Sequence, residues 1–131
     1  EHLGKFGQYA GVAFQLIDDV LGLTADERVL GKPVGSDIRE GKRTLIIVHA
    51  LQRASDDQRK KILETLGNKS APLGQIQETT DLINSLGSIS YAEKRAREYV
   101  EKSKMALAVF PDTEDKEDLI SLADLITARK Y

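Results

Sequence analysis

The sequence has no cysteine among its 131 residues, and aromatic residues make up only 5% of it. Without cysteine, neither a disulfide framework nor a thiolate metal site is available. No apolar run approaches the roughly 20 residues that a membrane-spanning helix needs, and the first residues have no signal-peptide pattern. The formal net charge of −2 gives no sign of a nucleic-acid or membrane-surface patch. We therefore expect a soluble, cytoplasmic protein that neither binds nucleic acid nor spans a membrane.

The apolar residues present are mostly aliphatic, and they recur at spacings of three and four over long segments. This periodicity is typical of amphipathic helices rather than of strands. The predicted fold class is therefore all-α, with helices joined by short turns into one helical bundle. The predicted helices cover about residues 2–22, 25–30, 43–54, 56–66, 73–86, 91–109 and 114–129.

Local signals set the predicted helix ends. Capping boxes predict helix starts at Thr24–Glu27 and Ser90–Glu93, and Ser55 or Asp56 is the expected N-cap of the helix that follows. Glycine and proline punctuate residues 31–43, so we expect an ordered loop there. The chain begins with Glu1, as though already inside a helix, and we expect it to be the C-terminal part of a longer protein.

The first helix contains two adjacent carboxylates, Asp18 and Asp19, within an apolar run. Spacings of three and four place them near one face with Gln15 and Gly22. Burying such a pair is costly unless a cation or a substrate uses it. Mg²⁺ typically binds one or two carboxylates together with substrate phosphates, so the pair suits Mg²⁺. The alternative is that both carboxylates simply face solvent at the edge of the bundle.

The segment after this helix supplies the opposite charge. Lys32 and Lys42 are able to contact a phosphate as point charges, and glycines at 31, 35 and 41 allow backbone N–H groups to approach closely. Ser36 and Asp37 add a hydroxyl and a further oxygen ligand. Together the carboxylates, lysines and glycine turns predict a site for a diphosphate bound with Mg²⁺.

The same residues carry a family resemblance. "FQLIDDVLGL" followed by "GKPVGSDIREGKRTL" resembles the second aspartate-rich region of the trans-isoprenyl diphosphate synthases, the polyprenyl synthetase family. The likeness is densest over residues 7–50, and "LADLITARKY" resembles the last helix of the family. Within it, the archaeal-type short-chain geranylgeranyl and farnesyl diphosphate synthases are the most similar. The resemblance implies the C-terminal part of the isoprenoid synthase fold, with the motif at 14–44 and C-terminal helices at 52–131.

The resemblance also implies a reaction. An allylic diphosphate, bound through Mg²⁺, loses its diphosphate to give a carbocation, which the double bond of isopentenyl diphosphate then attacks before a proton is lost. By position, Asp18 is implied as a Mg²⁺ ligand with Asp19 beside it, and Asp37 is implied to hold the metal or a metal-bound water. The implied catalytic residues are the aspartate pair and two lysines, Lys32 and Lys42.

Substrate-binding roles are implied in the same way. Lys32 and Lys42 would contact the allylic diphosphate, Gln15 would lie along its diphosphate end, and Phe14 would border the isopentenyl pocket. One departure is Gly22, which stands where the family pattern D-D-x-x-D has its third acid.

The first aspartate-rich motif of the family is absent from this sequence. We therefore expect the 131 residues to form one wall of an active site and to be inactive in isolation, with the full-length enzyme a homodimer. The product, geranylgeranyl or farnesyl diphosphate, is not fixed by the sequence. Two alternatives are a non-catalytic synthase-like subunit or helical interaction module, and a terpene cyclase.

Overall fold

The computed structural model describes residues 1–24 and 35–128, and these residues form seven α-helices and no β-strand. The predicted all-α fold class is confirmed. No helix in these two ranges is both long and apolar enough to cross a membrane. In chain order the helices are α1 (His2–Thr24), α2 (Ser36–Glu40), α3 (Leu45–Arg53), α4 (Asp56–Thr65), α5 (Leu73–Ser85), α6 (Ser88–Ala106) and α7 (Glu114–Thr127).

Five of the predicted helices are confirmed with bounds within two residues, and these are α1, α3, α4, α5 and α7. Their starts follow from local chemistry. Ser55 is the N-cap of α4, where it forms a reciprocal capping box with Gln58. Thr44 and Thr113 cap α3 and α7, each accepting a hydrogen bond from the backbone N–H three residues later. The helix predicted at 25–30 lies outside the described residues.

Two predictions were wrong. The loop expected at 31–43 contains the short helix α2 in its described part. In addition, α6 begins at Ser88 and not at 91, so Ser90 lies inside the helix instead of capping it, and the helix ends at Ala106 rather than 109. Gly87, with φ of 78°, ends α5, and its carbonyl already accepts the first bond of α6 from the Tyr91 N–H. Gly87 therefore takes the N-cap position of α6, and only two residues separate α5 from α6.

The described chain divides into two compact units. The larger one consists of residues 18–92 and holds the end of α1 with α2 to α5. The most deeply buried large residues of its core are isoleucines that are at most 1% exposed, one or two from each of α2, α3, α4 and α5: Ile38, Ile46, Ile62, Ile76 and Ile83. Since Ile38 is one of them, the short helix α2 is part of this core.

The other unit combines residues 1–17 with the described residues from 93 on. Its core brings together Phe6 and Ala13 of α1, Val100 of α6 and Ala123 of α7. Lys104 of α6 donates a 2.7 Å hydrogen bond to Asp124 of α7. Hydrogen bonds to Asp124 and then to Glu101 raise the pKa of Lys104 above its usual range, so this link between helices stays charged.

Candidate functional site

The carboxylate pair lies near the C-terminal end of α1. Asp18 and Asp19 are both half-buried there, whereas Phe14 and Gln15, one turn earlier on the same helix, are exposed. Phe14 exposes 47% of its surface, which is a high value for a large aromatic residue. The end of α1 therefore presents two carboxylates on a surface that is only partly covered.

A third carboxylate, Asp37, comes from α2 and is buried, with an exposure of 5%. α2 has only five residues, and Gly35 and Gly41 flank it in the left-handed conformation, with φ of 77° and 75°. Glycine adopts this conformation without steric cost. The N–H groups of Gly41 and Lys42 donate to the carbonyls of Ile38 and Asp37 at 3.0 and 3.1 Å. These two hydrogen bonds therefore fix the direction in which the chain leaves α2, and with it the backbone position of Lys42.

The Asp37 carboxylate lies directly against Gly22 of α1. A Cβ atom built onto Gly22 would lie 2.9 Å from Cγ of Asp37 and would overlap its Oδ2 atom. Because Asp37 is short and buried, its carboxylate has little freedom to move aside. A glycine at position 22 is therefore what allows the buried acid to reach α1 one turn after Asp18 and Asp19.

Lys42 approaches the same carboxylate, with 3.6 Å between its Nζ and Oδ1 of Asp37. The Asp37 side chain is 6% exposed and that of Lys42 is 49% exposed. A buried carboxylate needs charged or hydrogen-bonding partners, and Lys42 is one of them. An ammonium group has three donors, and half of the Lys42 side chain still faces solvent. Lys42 is thus placed to contact Asp37 and a second anion together.

Asp19, Asp37 and Lys42 line one narrow cavity between α1 and α2. The rest of its lining is Leu23, Ile38, Thr44 and Ile47. The described residues therefore bring two carboxylates and one lysine side chain to the same narrow cavity.

The structure brings some of the predicted site residues together. Asp19, Asp37 and Lys42 surround the cavity, and Asp18 precedes Asp19 on α1. Lys32 lies outside the described residues. Phe14 and Gln15 are on the exposed part of α1. The proposed roles of all these side chains remain predictions.

Three features of the site were missed by sequence reasoning. The contact between Gly22 and Asp37 was not foreseen, although Gly22 was noted as a departure from the family pattern. Thr44 lines the cavity as well as capping α3, and its place in the quoted G-K-R-T stretch was the available signal. Arg39, which donates from α2 to the backbone carbonyl of Ala71, had no signal in the sequence.

A closed metal centre is not found in the described part of the chain, because no group of three or more His, Asp or Glu side chains converges there. The oxygen donors that are present still fit Mg²⁺. This ion keeps several waters and commonly takes only one or two carboxylates, with substrate phosphates completing its shell. Asp18 and Asp19 on the partly covered end of α1 match that requirement.

The chain belongs to the polyprenyl synthetase family, since a model of the family described as "Polyprenyl synthetase" matches residues 1–83. It is 46% identical over 97 residues to the geranylgeranyl diphosphate synthase of Sulfolobus acidocaldarius, covering 74% of this chain and 29% of that protein. It is 41% identical to the short chain isoprenyl diphosphate synthase of Methanocaldococcus jannaschii, covering 100% of this chain and 39% of that protein.

Solved structures agree. The geranylgeranyl pyrophosphate synthetase of Pyrococcus horikoshii matches with a TM-score of 0.90 at 40% identity, over 98% of this chain and 39% of that one. A second match is a geranylgeranyl pyrophosphate synthase of Corynebacterium glutamicum, complexed with isoprenyl diphosphate and magnesium, with a TM-score of 0.89 at 35% identity. The match covers 96% of this chain and 36% of that one. The chain thus has the helical fold of these enzymes and spans well under half of their length.

Proposed function

We propose that this chain forms one wall of the active site of a Mg²⁺-dependent prenyltransferase. The enzyme would condense an allylic diphosphate with isopentenyl diphosphate, head to tail, to give a short-chain product. Support comes from the family and from relatives named as geranylgeranyl and short-chain isoprenyl diphosphate synthases. We also propose that the full-length protein is a cytoplasmic homodimer.

The observation that carries the proposal is the position of Asp37. Its buried carboxylate lies against Gly22, one turn beyond the aspartate pair, and 3.6 Å from the ammonium group of Lys42, whose side chain is half-exposed. One narrow cavity is thus lined by two carboxylates, Asp19 of α1 and Asp37 of α2, and by Lys42 in the turn after α2. A diphosphate with its cation needs both signs of charge side by side, because carboxylates hold the cation and lysines hold the phosphate oxygens.

Bound Mg²⁺ would neutralise the developing negative charge of the departing diphosphate. Asp18 and Asp19 would hold the ion, with Asp37 holding it or one of its waters. The structural fit to Mg²⁺ is limited to the kind and number of oxygen donors. The C. glutamicum relative is described as a complex with isoprenyl diphosphate and magnesium, and we extend the metal to this chain as part of the proposal.

The lysines would act on the diphosphate itself. Lys42, whose side chain is half-exposed, would donate to phosphate oxygens of the allylic substrate, and Lys32 would do so as well. Such fixed positive charges assist most where negative charge develops in the transition state. Gln15 would lie along the same diphosphate, while Phe14 would border the pocket for isopentenyl diphosphate.

In the reaction, the bond between C1 of the allylic chain and its diphosphate oxygen breaks, and diphosphate leaves with the electron pair. The double bond of isopentenyl diphosphate forms a new carbon–carbon bond to C1, and the resulting cation loses a proton. We favour geranylgeranyl diphosphate over farnesyl diphosphate as the product, because several similar proteins are geranylgeranyl diphosphate synthases. Relatives named for octaprenyl and geranylfarnesyl products also match.

The test is an elongation assay on the full-length protein encoded by the gene. Isopentenyl diphosphate is supplied with dimethylallyl, geranyl or farnesyl diphosphate, with Mg²⁺ or with EDTA, and products are separated by chromatography. A single C20 or C15 product that requires Mg²⁺ is the expected result. A folded protein that gives no product with any primer would contradict the proposal and favour the non-catalytic subunit.

A further inference from the structure

The five residues of α2 are attached to the turn between α4 and α5. Both Nε and Nη2 of Arg39 donate to the backbone carbonyl of Ala71, at 3.2 and 3.1 Å. Ala71 is itself 3% exposed, so this carbonyl belongs to a buried part of the turn. A guanidinium group that donates twice to one acceptor holds a defined direction, unlike a single mobile contact.

Backbone contacts add to this attachment. The Gly67 N–H donates to the Ile38 carbonyl at 2.7 Å. A Cβ atom built onto Gly41 would lie 3.2 Å from Cα of Gly67, so the two chain segments approach with no side chain between them. A helix of five residues is too short to be stable by itself. The position of α2 therefore depends on the turn at 67–71.

The side chains of Asp37 and Arg39 leave α2 on opposite sides. Residues two positions apart in an α-helix are separated by about 200° around the axis. Asp37 contacts Gly22 and Lys42 on one side of α2, while Arg39 reaches Ala71 on another. Since the Asp37 carbonyl also accepts from the Lys42 N–H at 3.1 Å, a rotation of α2 would move both the acid and the lysine.

We propose that Arg39 is a positioning residue for the diphosphate site. It does not contact the reacting groups; it fixes the rotation of α2 on the turn at 67–71, and through α2 it sets the positions of Asp37 and Lys42. This inference rests on the proposed function, because it assigns Arg39 a part in that same site. Loss of the attachment would weaken the binding of diphosphate and Mg²⁺ more than it weakens the fold.

The test compares Arg39→Leu with a matched control, Arg59→Leu, in the full-length protein. Arg59 donates to the Leu51 carbonyl through the same two nitrogens, at 3.2 and 3.1 Å, and lies in the same unit. Each substitution removes two hydrogen bonds of the same geometry, part-buried for Arg39 and exposed for Arg59, so Arg59→Leu should cost no more thermal stability than Arg39→Leu. Only Arg39→Leu removes a contact of α2.

Three quantities are measured for each variant: the KM for the allylic diphosphate, the half-saturating Mg²⁺ concentration, and the thermal shift produced by inorganic diphosphate with Mg²⁺. Removing the partners that orient ligating groups typically costs 10- to 100-fold, so Arg39→Leu should raise the first two by about tenfold. Arg59→Leu should change them less than about twofold. Equal effects of the two substitutions, or no effect of Arg39→Leu, would overturn the proposal.

Two further arms keep the outcome decisive. If Arg39→Leu does not fold, Arg39→Lys is used, because one ammonium group preserves the charge and part of the attachment, and an intermediate increase is expected. An unchanged Arg39→Lys variant would overturn the role of the twofold contact. If the wild-type protein makes no prenyl product, the proposed function fails, but the thermal shift by diphosphate and Mg²⁺ still tests Arg39.

Discussion

At the scale of single residues, Gly22 has the most specific role. The family pattern has an acid at this position, and in this chain the space is taken by the carboxylate of Asp37, which comes from α2. The acid near this turn of α1 is therefore supplied by a different element. Whether position 22 has a side chain decides where Asp37 lies, and this gives the site a direct test.

Gly22→Ala is expected to displace the Asp37 carboxylate. Overpacking a buried contact typically costs about 1–3 kcal/mol, so the midpoint of urea unfolding should fall and the half-saturating Mg²⁺ concentration should rise. Gly74→Ala is the control, because a Cβ atom there meets nothing within 4 Å and α5 gains a better helix former. A Gly22→Ala variant as stable as the control, with unchanged Mg²⁺ dependence, would contradict the contact.

A second residue with a defined state is His49 of α3. Arg53 Nε donates to its Nε2 at 3.0 Å, so Nε2 is the acceptor and Nδ1 donates to the Ser88 hydroxyl at 2.8 Å. The ring also stacks on Tyr91, with centroids 4.3 Å apart. Burial, followed by the charge of Arg53, lowers the pKa of His49 below 6.5. The imidazole is therefore neutral in the folded protein at neutral pH.

This lowered pKa predicts a pH dependence of stability. Between the folded and unfolded pKa values of His49 the unfolded chain binds more protons, so stability rises with pH there and is lost as the pH falls below 6.5. Urea unfolding at about pH 5 and about pH 8 measures the difference. His49→Gln should reduce it, whereas His2→Gln, which changes an exposed side chain, should not. Equal slopes in wild type and His49→Gln would refute this.

At the scale of elements, the helix ends show what a sequence can specify. Ser55 and Gln58 satisfy each other's backbone N–H groups without help from the rest of the fold, and this local chemistry made the start of α4 predictable. Ser90 and Glu93 have the same pattern, but α6 begins three residues earlier than this pattern predicts, because Gly87 joins it directly to α5 and Ser88 is fully buried. Tertiary packing overrides a local signal there.

Ser55→Ala tests the capping box. Loss of an N-cap side chain typically costs about 1 kcal/mol, so the free energy of unfolding should decrease by about that amount without a change in the m-value. Ser121→Ala, an exposed substitution inside α7, is the control and should be close to neutral. A Ser55→Ala variant as stable as Ser121→Ala would mean that the box contributes nothing measurable.

The error at α2 has a different cause. Gly35 and Gly41 correctly indicated a turn on either side, but the helix between them forms because Ile38 enters the isoleucine core and Arg39 reaches Ala71. Neither contact has a local signature, since Arg39 and Ala71 are 32 positions apart and the isoleucine core gathers residues from as far along the chain as α5. The sequence identified Asp37 and Lys42 as candidates but not their contact with each other or with Gly22, because these contacts depend on how α2 packs against α1.

At the scale of the whole molecule, the chain covers 29% to 39% of the relatives it matches. The family was predictable from the sequence because its motifs are contiguous in α1 and in the segment that follows. The complete ligand pocket was not predictable, because the chain spans well under half the length of these relatives. Binding must therefore be measured on the full-length protein.

Inorganic diphosphate with Mg²⁺ is expected to stabilise the full-length protein against heat. A ligand at 100 times its Kd contributes about 2.7 kcal/mol, so the Tm should rise as the ligand concentration is increased. Sulfate with Mg²⁺, and diphosphate with EDTA, are the controls and should produce little shift. Asp18→Asn should lose most of the stabilisation, and if it responds like the wild type, Asp18 does not hold the metal.

The turn at 67–71 has a consequence for protein engineering. Loops on a surface usually tolerate insertions, and exposed Lys69 and Ser70 make this one look suitable for an affinity tag or a fluorescent reporter. Both ends of the turn are nevertheless hydrogen-bonded to α2, one through the Gly67 N–H and the other through the Ala71 carbonyl. Natural sequences should therefore vary the exposed side chains of this loop while keeping its length constant, and a tag is better placed elsewhere.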